Sequence, residues 1–113
     1  MQFAANDPWT FARAAELAAP HCDAVELNLG CPQREARLGH FGCYLIERED
    51  WDLVASMVRA AVEATAGSPL RVYCKIRLCR TLEDTLARRL FQTGAPAPSQ
   101  AFCSESAKRV AQK

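Results

Sequence analysis

Asn28, Cys31, Lys75 and Arg77 are the side chains whose types and spacing combine into chemistry in this sequence. A thiol can hand over a proton, and an ammonium can stabilise a negative charge. A guanidinium can grip a phosphate or carboxylate, and a carboxamide can orient a ring by hydrogen bonds. Cys31 stands between Gly30 and Pro32, which places it in a turn. Lys75 and Arg77 are two positions apart and share a face if their segment is a strand. The six cysteines (Cys22, Cys31, Cys43, Cys74, Cys79, Cys103) include no pair at the spacing of zinc knuckles or thioredoxin-type sites, so neither a metal site nor a disulfide framework is expected. Cys22, Cys43, Cys74 and Cys79 read as packing residues, and His21 and His40 have no partner at a ligating spacing. Taken singly, Cys31 is a loop thiol and Lys75 a lysine with its stem along a strand end.

The patterning around these residues supplies a frame for them. Asn6-Asp7-Pro8 opens a helix, because Asp7 can accept from the first unpaired N–H groups and Pro8 sits where a missing donor does no harm. Phe11, Ala14, Ala15 and Ala18 then line one face, until Pro20 stops the run. Ala24 to Leu29 alternates, with Val25, Leu27 and Leu29 opposing Glu26 and Asn28, as a strand does. Gly30 to Gly42 keeps no period and reads as a loop. From about Asp50 to Ala66, Trp51, Val54, Ala55, Val58, Ala61 and Val62 follow helical spacing, and Gly67 is the expected left-handed stop. Leu70, Val72, Cys74 and Ile76 oppose Arg71, Tyr73, Lys75 and Arg77 in a second strand. Thr81 caps a last helix lined by Leu82, Leu86 and Leu90 and ended by Gly94.

With a short strand at Gln2 to Ala5, the order is strand, helix, strand, loop, helix, strand, helix. Strands joined by such helices make a parallel sheet with right-handed crossovers, an α/β fold. Chemistry in these folds gathers beyond the C-terminal ends of the strands, where Asn28, Cys31, Lys75 and Arg77 fall.

The composition excludes several classes. Half of the 113 residues are hydrophobic and 24% are charged, which rules out disordered and collagen-like chains. A net charge of +1 with scattered basic residues argues against binding nucleic acid through phosphate contacts alone. No apolar run approaches the roughly 20 residues of a membrane span and no secretion signal opens the chain, so a soluble, intracellular protein is expected.

Asn28-Leu29-Gly30-Cys31-Pro32-Gln33 carries a more specific signal. Together with Gln2-Phe3, Asn6-Asp7-Pro8, Gly39-His40-Phe41-Gly42 and Cys74-Lys75-Ile76-Arg77, it resembles the tRNA-dihydrouridine synthases, most closely the eukaryotic branch that acts on the D-loop. The resemblance implies a flavin-dependent TIM (β/α)8 barrel, here a partial one of about three parallel strands. It implies FMN as the hydride carrier, NADPH as its reductant and tRNA as the substrate. It places Gln2 and Lys75 at the flavin, Asn28 at the substrate uracil, and Cys31 as the acid that protonates the ring carbon next to the one receiving hydride. A thiol with the ordinary reference value of about 8.5 keeps its proton at neutral pH yet gives it up readily. Gly30 is expected to turn the loop tightly and Pro32 to stiffen its exit. Arg77, on the lysine's strand face, is the second candidate for substrate contact.

The pattern departs from a whole barrel, which needs eight βα units and about 250 residues. Where the family continues with a strand carrying His-Gly-Arg, this chain has Ala95-Pro96-Ala97-Pro98. The expected division is a partial catalytic domain over 1–94 and an irregular, disordered tail over 95–113, reading as a splice end, a frame shift or an incomplete reading of the gene. Such a piece is expected to be inactive alone, to need a partner chain to complete the barrel, to have no membrane contact, and to lie in the cytoplasm or nucleus. Two other readings stand beside it: a non-catalytic product that docks onto another chain, and another flavin-dependent barrel oxidoreductase of the dihydroorotate or dihydropyrimidine dehydrogenase kind. Gly-Cys-Pro-Gln together with Gly-His-Phe-Gly favours the synthase over the last.

Overall fold

The structure, a computed structural model, describes residues 1–78 and the backbone of the short segment 101–103. Asp7 caps the first helix, α1 (Pro8–Ala18), by accepting from the Thr10 backbone N–H at 2.7 Å, with proline in the first turn. The cap follows β1 (Gln2–Phe3) and directs the chain into the crossover to β2 (Ala24–Leu29). A short α2 (Arg34–Leu38) and two 3₁₀ turns, Gly42–Leu45 and Arg48–Asp50, lead into α3 (Trp51–Ala64), which returns the chain to β3 (Arg71–Ile76). The helix expected after Thr81 lies outside the described residues.

The sheet is parallel throughout, in the order β1-β2-β3-β4, with β4 formed by Ala101–Cys103. Strands that follow one another in space as they do in sequence leave no point where the order reverses. That is the arrangement of a barrel wall and not of a doubly wound sheet. Both crossover helices pack into one apolar core on the same face. Phe11, Ala15 and Ala18 of α1 and Val54, Met57, Val58 and Ala61 of α3 close over Val25, Leu27, Leu29, Val72 and Cys74. Strand alternation therefore leaves Glu26, Asn28, Tyr73 and Lys75 on the opposite face. The fold is the expected partial α/β barrel.

Several local expectations are corrected. The stretch from Gly30 to Gly42 is not all loop, since Arg34–Leu38 winds into a helical turn that buries Ala36. Five residues are too few to display a period. Gly67 does not enter the left-handed region; the only positive-φ residues among those described are His40 and Gly42. The last turn of α3 is instead secured by Thr65, whose N–H and hydroxyl both donate to the Ala61 carbonyl, the hydroxyl at 2.8 Å. Met57 is fully buried although the expected stripe passed over it. Of the stretch 95–113 expected to be an irregular tail, only Ala101–Cys103 lies among the described residues, and it is a three-residue strand. It is too short to show alternation in sequence, and its backbone pairs in parallel with β3 from Val72 to Cys74. No helix among the described residues is long and apolar enough to cross a membrane.

The Thr10 hydroxyl first, then the Thr10 and Trp9 backbone N–H groups, hold the Asp7 carboxyl below its ordinary 3.8. A group lowered in the folded state adds stability that is complete above its unfolded value and lost as pH falls through the folded one. In a complete barrel carrying this segment, the urea midpoint of an Asp7→Ala variant is therefore expected to lie below the parent's at neutral pH. The two should converge as acid is added below about pH 4. A constant difference across that range would show that Asp7 acts without its charge.

Candidate active site

The polar face of the sheet is built by register. Gln2 pairs with Glu26, Glu26 with Tyr73, and one step further along the strands Asn28 pairs with Lys75. The Gln2 side-chain oxygen accepts from Asn28 Nδ2 at 2.9 Å and from Lys75 Nζ at 3.2 Å, while its Nε2 donates to Glu26 Oε1. One carboxamide thus joins three strands, with a carboxylate on one side and an ammonium on the other. Gln2, Asn28 and Lys75, picked from the sequence as site residues, are brought together directly. Glu26 belongs to the same network and was noticed in sequence only as a polar position of its strand; its pairing with Gln2 needs the register to be seen.

Cys31 begins the loop above this face. It is half-buried and free, with its Sγ facing Gln33 Oε1 at 3.8 Å. The residue before it, Gly30, is buried and lies over the network: a Cβ there would meet Arg77 Cγ, Lys75 Cε and Asn28 Oδ1 at 3.5–3.7 Å. These are ordinary contacts, and Gly30 is not left-handed, so the expected need for a glycine at this turn is not met at Gly30. The constraint falls on Gly42. Its φ is +66°, and a Cβ would come within 2.7 Å of the Cys31 carbonyl oxygen and 2.9 Å of Cys31 Cβ. Cys43 N–H donates to that same carbonyl at 3.1 Å. The Gly39-to-Gly42 segment is therefore a mould around Cys31, tied back to the β1–α1 loop by Asn6 Nδ2, which donates to the Gly39 carbonyl at 2.8 Å. Tyr44 adds a bond from its hydroxyl to the Pro32 carbonyl at 3.2 Å. The Gly-His-Phe-Gly run was visible in sequence, but its contact with Cys31 was not.

Arg77 lies beyond the end of β3, and its Nε donates to the Gly30 carbonyl at 2.6 Å. It was expected to face substrate, and the bond it makes is to the backbone just before the thiol. Among the described residues, no cluster of His, Cys, Asp and Glu is placed to hold a metal ion. The assembly offers a cation and oriented amide groups on one face of the sheet, with a thiol in the loop that follows β2, which suits binding a planar polar ring.

In a complete barrel carrying this segment, Gly42→Ala is expected to lower stability by about 2 kcal/mol or more, from the left-handed backbone and the clash with Cys31. Gly30→Ala should stay within about 0.5 kcal/mol. Equal urea midpoints for the two variants would contradict this assignment of the constrained glycine.

Comparison with known proteins agrees with this geometry. The family profile described as dihydrouridine synthase (Dus) matches residues 1–97. A tRNA-dihydrouridine(16/17) synthase-like protein of Mus musculus is 45% identical over 86 residues, covering 76% of this chain and 17% of that protein. The tRNA-dihydrouridine(16/17) synthase of Schizosaccharomyces pombe is 38% identical over 97 residues, 84% of this chain and 23% of its own length. The tRNA-dihydrouridine(20a/20b) synthase of Saccharomyces cerevisiae is 36% identical over 96 residues, 83% of this chain and 25% of its own length. The chain thus spans about a fifth of the length of these relatives. With its parallel βα frame and its Asn-x-Gly-Cys-Pro turn mounted over a lysine and two carboxamides, the chain belongs to the dihydrouridine synthase family.

Proposed function

We propose that this chain is a piece of an FMN- and NADPH-dependent tRNA-dihydrouridine synthase that reduces a D-loop uridine, with Cys31 as the proton donor. The observation that carries the proposal is the convergence of Gln2, Asn28 and Lys75 beneath the Cys31 loop. An ammonium and a carboxamide on one polar face form the donor set that the carbonyl-rich edge of a flavin needs, so these residues fit FMN. Gln2 and Lys75 would hold it. Bound and reduced, FMN supplies a hydride to one carbon of the uracil double bond.

The chain's own residues do the remaining work. Lys75 places a positive charge where negative charge collects, on a rigid strand end. Asn28 orients the uracil, while its Oδ1 accepts from Gly30 N–H at 2.9 Å and so keeps the substrate-facing amide and the thiol loop in step. The Cys31 S–H bond breaks as its proton passes to the adjacent ring carbon; the thiolate left behind regains a proton from solvent. Neither outer edge of the sheet, at β1 or at β4, is paired among the described residues. Further strands, from a longer chain or a partner chain, would complete the barrel, and the present chain alone would then be inactive. We place it, with its tRNA substrate, in the cytoplasm or nucleus.

In a complete barrel carrying this segment, Cys31→Ala is expected to leave flavin reduction by NADPH intact and to slow uridine reduction about 100- to 10,000-fold. Equal loss of both half-reactions would reject Cys31 as the acid. Lys75→Ala should weaken flavin binding or slow flavin reduction, measured by flavin absorbance, and no change in either would reject its role. The chain alone should purify without flavin and melt over a broad range; a yellow sample with a sharp cooperative transition would refute the need for completion.

A further inference from the structure

Three backbone groups around Cys31 are held by a partner distant in sequence or by a site residue. Gly30 N–H donates to Asn28 Oδ1 at 2.9 Å, and the Cys31 carbonyl accepts from Cys43 N–H at 3.1 Å. The peptide that joins Gly30 to Cys31 is held through its carbonyl by Arg77 Nε at 2.6 Å, across 47 residues of sequence. The plane of that peptide sets the direction in which the Cys31 side chain leaves the backbone. The arginine stem packs there too, since the Gly30 Cβ position lies 3.5 Å from Arg77 Cγ.

We propose that Arg77 is a positioning residue for the proton-transfer step: its guanidinium latches the Gly30–Cys31 peptide to the end of β3 and so aims the Cys31 thiol. The proposal rests on the reading of Cys31 as the acid. Two positions apart on one strand end, Lys75 and Arg77 divide the work, the first reaching Gln2 and the second the thiol loop. The donor's place on the side chain explains why an arginine is needed. Nε follows Cβ, Cγ and Cδ, the position at which a lysine has its Cε methylene, so a lysine would present that methylene to the carbonyl and keep only its charge.

The test uses the complete FMN-loaded enzyme and two variants, Arg77→Met and Arg77→Lys. Two quantities are followed: the steady-state constants for tRNA, and the alkylation rate of Cys31 by iodoacetamide, read by mass spectrometry against Cys22. Both variants are expected to lower kcat for uridine reduction about 10- to 100-fold with KM unchanged, as misplacement of a reacting group does. The Cys31 alkylation rate should shift relative to Cys22, and flavin reduction by NADPH should be unaffected. A raised KM with kcat preserved, restored by Arg77→Lys, would make Arg77 a phosphate contact and overturn the latch. Unchanged Cys31 alkylation in both variants would overturn it as well. If Arg77→Met does not fold, Arg77→Lys decides by the same readouts. The alkylation arm is independent of catalysis: a Cys31→Ala enzyme that still reduces uridine defeats the proton-donor reading and leaves the latch to be judged by thiol reactivity alone.

Discussion

The Gln2 carboxamide is the node on which the candidate site depends. Its oxygen receives hydrogen bonds from Asn28 on β2 and Lys75 on β3, although Lys75 is 73 residues away along the chain. That meeting requires β1, β2 and β3 to be adjacent, parallel and in the one register that pairs Gln2 with Glu26 and Asn28 with Lys75. A slip of one residue would turn Asn28 or Lys75 into the apolar layer under α1 and α3 and bring a leucine or isoleucine to the polar face. The core that buries Val25, Leu27, Leu29 and Val72 therefore fixes the site's geometry as well as the fold. Burial of the wrong alternation would be unfavourable both for the stranded charges and for the exposed apolar groups.

The thiol is mounted differently. Strands hold side chains rigidly, but Cys31 lies beyond a strand, where a chain is ordinarily freer. Order is imposed on it by contact with a second loop. Gly42 fits against the Cys31 backbone where no side chain has room, and Cys43 N–H bonds the Cys31 carbonyl. His40, also left-handed, sits in the same turn, and its Nε2 pairs with Asp50 Oδ2 at 2.9 Å, which ties that turn to the start of α3. A chain of contacts thus runs from the start of α3 to the Cys31 backbone, so the loop inherits the rigidity of the layer beneath it.

The arrangement of layers also separates this chain from other α/β designs. Both crossover helices pack on one face, and the strands keep their sequence order across the sheet. A doubly wound sheet would cover both faces with helices and would bind its ligand where the order reverses. Here the face opposite α1 and α3 carries the polar side chains Glu26, Asn28, Tyr73 and Lys75. The face that a barrel turns inward is thus already prepared in these strands.

Much of the frame was legible in sequence because alternation and helical spacing are local properties. The strand at Ala24–Leu29, the Asp7 cap and the helix from Trp51 were set by which residues can be buried together over a few turns. The types of the candidate site residues, and their place at strand ends, were legible for the same reason. What was not legible depends on contacts between distant segments. The turn at Arg34–Leu38 is too short to show a period, and the left-handed glycine turned out to be Gly42 because only the fold brings it against Cys31. The sequence alone determined the alternation that gives each strand a polar and an apolar side. The tertiary structure decided that Gln2 bridges Asn28 and Lys75 and that Arg77 holds the backbone before the thiol. Those pairings span tens of residues, and no local pattern encodes which backbone carbonyl a guanidinium will meet once the sheet has formed.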